Sequence, residues 1–94
     1  MVKEEGKNSS MVELAKSVLS AMNIILNKKT ESVVSIAPDK DGWKLIIEAL
    51  ERKAMPDSMD LVGRYEVKTD QSGEIHNFNQ ILLRRRSDTT ALET

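Results

Sequence analysis

Residues 41–52 have the sequence DGWKLIIEALER, in which a turn is followed by an alternating segment. An Asp-Gly pair favours a tight hairpin turn, because glycine adopts a positive φ without a Cβ clash. Beyond the turn, successive side chains are expected to point to opposite sides, as they do in a β-strand. One side is apolar and the other mixed, with Trp43, Leu45, Ile47 and Ala49 on the first and Lys44, Ile46, Glu48 and Leu50 on the second. The segment therefore predicts a strand with one buried face.

A second strand of the same kind is predicted farther along the chain. Residues 55–58, Met-Pro-Asp-Ser, interrupt the first strand. In residues 61–68, apolar side chains such as Tyr65 and Val67 then alternate with charged ones, which is typical of an amphipathic strand. We expect Trp43 and Tyr65 to be core residues on the apolar faces of these two strands.

Two outer strands are predicted beside this pair. Residues 33–36 include three β-branched residues and predict a short strand, which Pro38 is expected to end because proline has no N–H to donate. A turn at residues 70–73 precedes a last strand at residues 74–86. The apolar residues of this last strand change parity along its length, which indicates either a β-bulge or a strand that is apolar on both sides.

An amphipathic helix is predicted before the strands. Ser10 and Glu13 form a capping box, so the helix is expected to begin at Ser10 and to end near residues 27–29. Residues 1–9 are polar and are expected to form a flexible N-terminal tail. The apolar stripe of the helix consists of Met11, Ala15, Val18, Met22 and Ile25. This stripe either packs on the sheet or presents a surface to a partner helix, and core packing is the simpler interpretation.

These elements predict an α+β fold, with one N-terminal amphipathic helix packed on a four-stranded antiparallel β-meander. A chain of 94 residues and 10.6 kDa is long enough for one small core. We predict a single domain at residues 10–86 and a flexible C-terminal tail at residues 87–94.

Charge and composition argue against several classes of function. Fourteen Lys and Arg against fifteen Asp and Glu give a net charge of −1, so no global field draws the chain to nucleic acid or anionic lipid. The sequence has no cysteine and one histidine, so we expect no metal site of the Cys/His type and no other cofactor. Polar residues interrupt the most apolar stretch, residues 11–26, so no membrane span is expected. We expect a cytoplasmic protein.

No arrangement of residues indicates catalysis. His76, the single histidine, has no nucleophile arranged beside it in the sequence pattern. Glu48 and Glu51 are three apart in a strand and are therefore expected on opposite faces, which excludes a shared pair of catalytic carboxylates. The four glycines are scattered and form no phosphate-binding loop. We therefore predict that the chain is not an enzyme.

The one local concentration of charge is Arg84-Arg85-Arg86, at the end of the last strand. Guanidinium groups bind carboxylates and phosphates through a planar fork of donors. Three interpretations are open: a solvated strand end, a contact for an acidic protein surface, and a contact for nucleic acid. The chain has few aromatic residues to stack on bases, so nucleic acid is the least favoured of the three. Because the arginines follow the last apolar residue of the strand, their removal is expected to leave the fold intact.

The second half of the chain resembles a known family. Residues 42–75, GWKLIIEALERKAMPDSMDLVGRYEVKTDQSGEI, are similar to the characteristic region of the gas vesicle protein O family. That region has an Asp-Gly-Trp turn, a glutamate-rich strand running into arginine, a Pro-Asp loop, a Tyr-Glu-Val strand and an Asp-x-x-Gly turn. The matching residues are Asp41, Gly42, Trp43, Glu48, Glu51, Arg52, Pro56, Asp57, Tyr65, Glu66, Val67, Asp70 and Gly73. The last strand departs from the family pattern, which alternates tyrosine and arginine.

The resemblance implies an accessory role in the assembly of gas vesicles. The family is a group of cytoplasmic proteins encoded with the gas vesicle genes, and it is thought to work with the AAA-type ATPase gas vesicle protein N. We accordingly predict a non-enzymatic accessory protein that acts by protein–protein binding, in the cytoplasm and in association with gas vesicles. No oligomeric state follows from the sequence.

The predicted partner-binding residues are Glu48 and Arg52, on the mixed face of their strand, together with Arg84, Arg85 and Arg86. An unpaired sheet edge could also receive a strand of the partner. Two other classes of function stay open. One is a nucleic-acid-binding regulator of gas vesicle gene expression, and the other is a small domain that binds a ligand in a cleft between helix and sheet.

Overall fold

The computed structural model describes the backbone of residues 2–88 and the side chains of residues 10–88. Helix α1 spans Val2–Leu26 and is followed by strands β1 (Thr30–Asp39), β2 (Gly42–Arg52), β3 (Leu61–Asp70) and β4 (Ile75–Arg85), with a 3-10 turn at Asp57–Met59. The four strands form one sheet in the order β1-β2-β3-β4, and every neighbouring pair is antiparallel. The predicted α+β fold, a helix on a four-stranded meander, is confirmed.

One side of the sheet holds the core, and we call it the helix side because α1 packs there. Val18 and Met22 of α1 lie against Leu45, Ile47, Ala49, Tyr65 and Val67 of the two central strands. The predicted alternation in β2 and β3 is therefore confirmed, and Tyr65 is buried as expected. Trp43 packs at the margin of the core and is half-buried. The opposite side, which we call the open side, has no helix over it within the described residues.

The helix begins earlier than predicted. Ser10 lies inside α1, which starts at Val2, so the helix start predicted from the capping box is wrong. Once the turns packed on the sheet are formed, each further residue adds a backbone hydrogen bond without a new nucleation cost, and the helix can extend beyond its packed part. Of the predicted tails, residue 1 and residues 89–94 lie outside the described residues.

Proline does not end β1. The strand runs to Asp39, and Pro38 is paired in register with Trp43 of β2. Because β1 is an edge strand, a missing N–H on its outer side breaks no ladder hydrogen bond. The prediction that Pro38 terminates the strand is therefore wrong.

The β1–β2 hairpin is confirmed, but the role expected for its glycine is wrong. Asp39 pairs with Gly42 across a two-residue turn, and Gly42 does not have a positive φ. It pairs on its other side with Asp70, and a Cβ atom at this position would overlap the backbone of Thr69 and Asp70. Glycine is required here by the close approach of β3.

Irregular pairing shifts the faces of β2 and β4. The register of β4 against β3 skips His76 and Ile81, so an irregularity of the β-bulge kind, one of the two explanations for the change of parity, is present. The register of β2 against β3 shifts between Leu50 and Arg52, so that Arg52 pairs with Leu61. Directly paired residues share a face. Arg52 therefore lies with Leu61 on the helix side, and not with Glu48 on the open side as predicted.

Removal of a core side chain should show where stability is concentrated. Leu45 is fully buried, and Leu45→Ala should lower the free energy of unfolding by about 2 to 5 kcal/mol through lost burial and a residual cavity. Val34, 46% exposed on β1, offers the control, and Val34→Ala should change stability by less than about 1 kcal/mol. Urea denaturation of both variants measures the difference, and equal midpoints would contradict the placement of the core.

Candidate partner-binding surface

Glu48 joins three strands on the open side of the sheet. Its Oε2 accepts a hydrogen bond from Arg64 Nη2 at 2.9 Å, and its Oε1 accepts one from Arg84 Nη2 at 3.0 Å. The three side chains are only 9, 18 and 11% exposed, in the order Glu48, Arg64, Arg84. We call this group the Glu48 cluster. It connects β2 to β3 and to β4 on the side of the sheet that no described helix covers.

The charge state of the Glu48 cluster follows from its contacts. Burial opposes ionisation of Glu48, but the hydrogen bonds from Arg84 and Arg64 outweigh it and lower the pKa of this carboxyl. The carboxyl is therefore ionised at neutral pH. With two guanidinium groups on one carboxylate, the cluster carries one excess positive charge.

A second network fastens the end of β4. Arg86 donates from Nη1 and Nη2 to the two carboxylate oxygens of Glu31, at 3.1 and 2.8 Å, and from Nε to Asp60 at 3.2 Å. Asp60 is 1% exposed and also accepts the N–H of Ala54 at 2.7 Å. The hydrogen bond to Glu31 raises the pKa of Arg86, and the N–H of Ala54 lowers the pKa of Asp60. This network, the Arg86 clasp, links the end of β4 to the start of β1 and to the loop before β3.

These contacts correct the interpretation of the arginine run. Arg84 and Arg86 bind carboxylates of the same chain and are not a solvated strand end. Each forms charge-assisted hydrogen bonds to a well-buried carboxylate, and removing one member of such a pair leaves the other unpaired. The expectation that all three arginines can be removed without effect on the fold assumed that they are solvated, and the structure contradicts that assumption for Arg84 and Arg86.

Arg52 and Arg85 have a different environment. Leu61, the first residue of β3, pairs with Arg52 on one side and with Arg85 on the other. Both arginines are exposed, and among the described residues neither forms an ion pair. Leu83 lies two residues before Arg85 and is 53% exposed. We call this group, Arg52, Leu61, Leu83 and Arg85, the Arg52–Arg85 patch.

A further carboxylate, Glu51, whose partners the sequence analysis did not assign, connects the end of the helix to the sheet. Glu51 accepts a hydrogen bond from the hydroxyl of Tyr65 and one from Lys28 Nζ at 2.7 Å, just beyond the end of α1. Burial, with the hydrogen bond to Glu51, raises the pKa of Tyr65. A Cβ atom on Gly63 would overlap the Glu51 carboxylate and lie 2.8 Å from Gln80 Nε2. Glu51 thus lies on the helix side, which confirms that Glu48 and Glu51 occupy opposite faces.

The β3–β4 turn brings a serine, an aspartate and the histidine together. Asp70 accepts hydrogen bonds from the hydroxyl of Ser72 at 2.7 Å and from the N–H groups of Ser72 and Glu74 at 2.9 Å. These bonds lower the pKa of Asp70. The His76 ring lies 4.0 Å from the other Asp70 oxygen, which is beyond hydrogen-bond distance, and is largely exposed. Asp70 therefore serves the turn, whose Gly73 has φ of 96°, and the serine is not poised as a nucleophile.

The remaining surface offers few sites for chemistry. Among the described residues, no group of three or more His, Asp or Glu side chains is placed to hold a metal ion. In the same part of the chain, each buried side-chain nitrogen or oxygen has a hydrogen-bond partner. Helix α1, the one α-helix among the described residues, lacks a continuous apolar stretch of the length that a membrane span requires.

Loss of the Glu48 charge should destabilise the sheet. Glu48→Gln leaves two largely buried arginines without their carboxylate and should lower the free energy of unfolding on the order of 3 kcal/mol. Glu66→Gln is the matched control, because Glu66 is 3.9 Å from Lys44 and both side chains are more exposed. The control should change stability by less than about 1 kcal/mol. If urea denaturation gives equal losses of unfolding free energy for the two variants, the Glu48 cluster stabilises the fold no more than the exposed pair does.

Stability should fall at acid pH. Glu48, Asp60 and Asp70 have folded-state pKa values below their ordinary values of 4.5, 3.8 and 3.8. A carboxyl of this kind stabilises the fold fully above its ordinary pKa, and the contribution is lost as pH falls through the lower folded value. The free energy of unfolding should therefore stay level from about pH 7 to about pH 5.5 and decline below that. A shallower decline is expected for Glu48→Gln, and a decline as steep as that of the parent would contradict the role of Glu48.

Three known proteins that are named gas vesicle protein O or O1 are similar in sequence to this chain. Gas vesicle protein O1 of Halobacterium salinarum is 31% identical over 64 residues, which is 68% of this chain and 54% of that protein. Gas vesicle protein O of Haloferax mediterranei is 35% identical over 65 residues, 68% of this chain and 46% of that protein. Gas vesicle protein O of a Streptomyces species is 40% identical over 53 residues, 56% of this chain and 41% of that protein. The chain thus matches about half the length of these relatives.

No solved structure significantly matches the chain. The model of one protein family, described as gas vesicle synthesis protein GvpO, matches residues 2–90. This match covers the helix, the four strands, the Glu48 cluster and the Arg86 clasp, and it agrees with the resemblance found in residues 42–75. The chain belongs to the gas vesicle synthesis protein GvpO family.

Proposed function

We propose that this chain acts in gas vesicle formation as a non-enzymatic accessory protein that binds a protein partner. Membership of the family supports the process, since the family and the three relatives are named for gas vesicles. The proposed location is the cytoplasm, in association with gas vesicles. The proposed partner is an AAA-type ATPase, gas vesicle protein N, as the resemblance to the family implies.

The absence of catalysis is part of the proposal, and the β3–β4 turn supports it. A serine nucleophile needs a base that takes its proton, with a third group that orients the base. Here the Ser72 hydroxyl donates to Asp70 and not to His76, and His76 is exposed on an edge strand. The described residues also offer no buried side chain that lacks a partner and could serve as an acid or base.

The Arg52–Arg85 patch is the proposed contact surface. The observation that carries this assignment is that two exposed arginines flank Leu61 and have no carboxylate partner among the described residues, whereas Arg84 and Arg86 each bind a carboxylate. Arginine next to apolar side chains is common at the centres of protein–protein interfaces. A free guanidinium fork can bind a partner carboxylate with two hydrogen bonds.

The other three residues predicted for binding take a supporting part in this proposal. Glu48, Arg84 and Arg86 hold β4 against β3 and against the start of β1. Arg85 lies between the two paired arginines in sequence, so its position depends on both networks. Glu48, Arg84 and Arg86 are therefore proposed as positioning residues for the Arg52–Arg85 patch.

The partner proposal is tested with a double variant. Arg52→Ala with Arg85→Ala should leave the urea midpoint nearly unchanged, because both side chains are exposed, and should weaken binding of gas vesicle protein N about tenfold or more. Lys16→Ala with Lys40→Ala removes the same charge from exposed positions elsewhere and is the control. Calorimetric titration measures both affinities.

Three outcomes would count against this proposal. Equal affinities of the two double variants would remove the patch from the interface. No measurable binding by the parent chain would overturn the choice of partner. Binding of DNA or RNA that weakens steeply with salt, in place of protein binding, would favour a nucleic-acid-binding regulator.

A further inference from the structure

Strand β4 is an edge strand whose middle carries little protection against pairing. Its side chains from His76 to Ile81 are exposed, and Phe78, Ile81 and Leu83 are 37, 47 and 53% exposed. Between Ile75 and Leu83 the sequence contains neither proline nor any Lys, Arg, Asp or Glu, which are the residues that usually block an edge. The opposite edge strand, β1, contains Pro38.

The charges of this segment lie at its two ends and have opposite signs. Glu74 comes directly before β4, and Arg84 and Arg85 close it. If two copies of β4 pair in parallel, like charges meet at both ends. If they pair in antiparallel fashion, the acidic start of each copy meets the basic end of the other, twice in one dimer.

The faces of β4 agree with one antiparallel register. A two-fold axis at Asn79 places Phe78 of each copy opposite Gln80 of the other, and Ile75 opposite Leu83. All four residues pair with helix-side residues of β3, namely Val67, Tyr65, Thr69 and Gly63. Residues that meet across the axis therefore share a face, as neighbouring strands of a sheet require. The exposed apolar side chains of the two copies come together on that face.

The same register complements the Glu48 cluster. Glu74 of one copy lies opposite Arg84 of the other. Within one chain, Arg84 and Arg64 share the single carboxylate of Glu48, so the cluster has one positive charge in excess. Glu74 forms no ion pair among the described residues. A second copy thus supplies the missing negative charge at the basic end of the strand.

We infer that β4 binds β4 of a second copy of this chain, antiparallel about a two-fold axis at Asn79, so that one sheet continues across the dimer. The irregular positions, His76 and Ile81, limit the regular ladder to residues 78–80 of each copy, because residue 77 of one copy lies opposite Ile81 of the other. Apolar contact of Phe78 and attraction between Glu74 and Arg84 supply the remainder of the binding free energy. Affinity is therefore modest, and the dimer depends on concentration.

Self-association is measured on the isolated full chain, so its result is separate from that of the partner titration. Sedimentation velocity from about 5 to about 500 µM should show a shift from monomer to dimer. Phe78→Lys places like charges beside the axis and should weaken the dimer about tenfold or more. Val34→Lys, at a similarly exposed site on the other edge, should leave it unchanged. A monomer at all concentrations, or equal effects of the two lysines, would overturn the inference.

A cysteine cross-link tests the axis itself. The chain has no cysteine, so Asn79→Cys introduces one thiol per copy at the proposed axis. Paired residues of antiparallel strands have Cβ atoms about 4.5 to 5.5 Å apart, close enough for a disulfide after a small adjustment. Under mild oxidation Asn79→Cys should form a covalent dimer faster than Val34→Cys. If Val34→Cys cross-links as fast or faster, the dimer does not form through β4 and the inference is wrong.

Discussion

The carboxylate of Glu48 is the point at which three of the four strands are held together. It lies on the open side of the sheet, on which none of the described residues forms a helix, and accepts hydrogen bonds from arginines on β3 and β4. Burying this group stabilises the fold only while both partners are present, because an unpaired charge with so little access to water is costly. A slip of β4 by one residue would move Arg84 to the other face and break the pair. The interaction therefore fixes register as well as stability.

The strands could be predicted from local pattern, whereas the pairing of charges could not. Alternation placed Leu45, Ile47 and Tyr65 on one face of the sheet, and the turn at residue 41 defined the first hairpin. Which carboxylate contacts Arg84 depends on how many residues of β4 are skipped in the ladder. The change of parity was compatible with a bulge or with a two-sided strand, and it did not locate a bulge. The predicted end of β1 at Pro38 was wrong for a related reason, since the effect of a proline depends on whether its strand lies at the edge of the sheet. The register of a strand and its position at an edge are both properties of the whole sheet, and the sequence of one segment does not determine them.

The residues that carry the family resemblance serve mainly the fold. Glu48 and Glu51 fasten opposite faces of the sheet, Asp70 closes a turn, and Gly42 allows β3 to approach. Arg52 differs, because it belongs to the same pattern and yet is exposed without an internal partner among the described residues. A motif that is explained by packing leaves little reason to look for chemistry in it. Arg52 is the residue of the pattern that the fold does not explain, and the proposed contact surface therefore includes it.

The two networks also determine how stiff β4 is as an edge. Arg84 is tied to β2 through Glu48, and Arg86 is tied to β1 and to the loop before β3. Side chains that are already ordered lose little conformational entropy when a partner arrives, so a strand held at its end in this way binds at a lower entropic cost than a mobile one. The start of β4 is held by the turn at Asp70, which accepts the N–H of Glu74. With both ends fixed, the exposed middle of β4 is preorganised for pairing, whereas Pro38 leaves β1 with one fewer donor for a new strand.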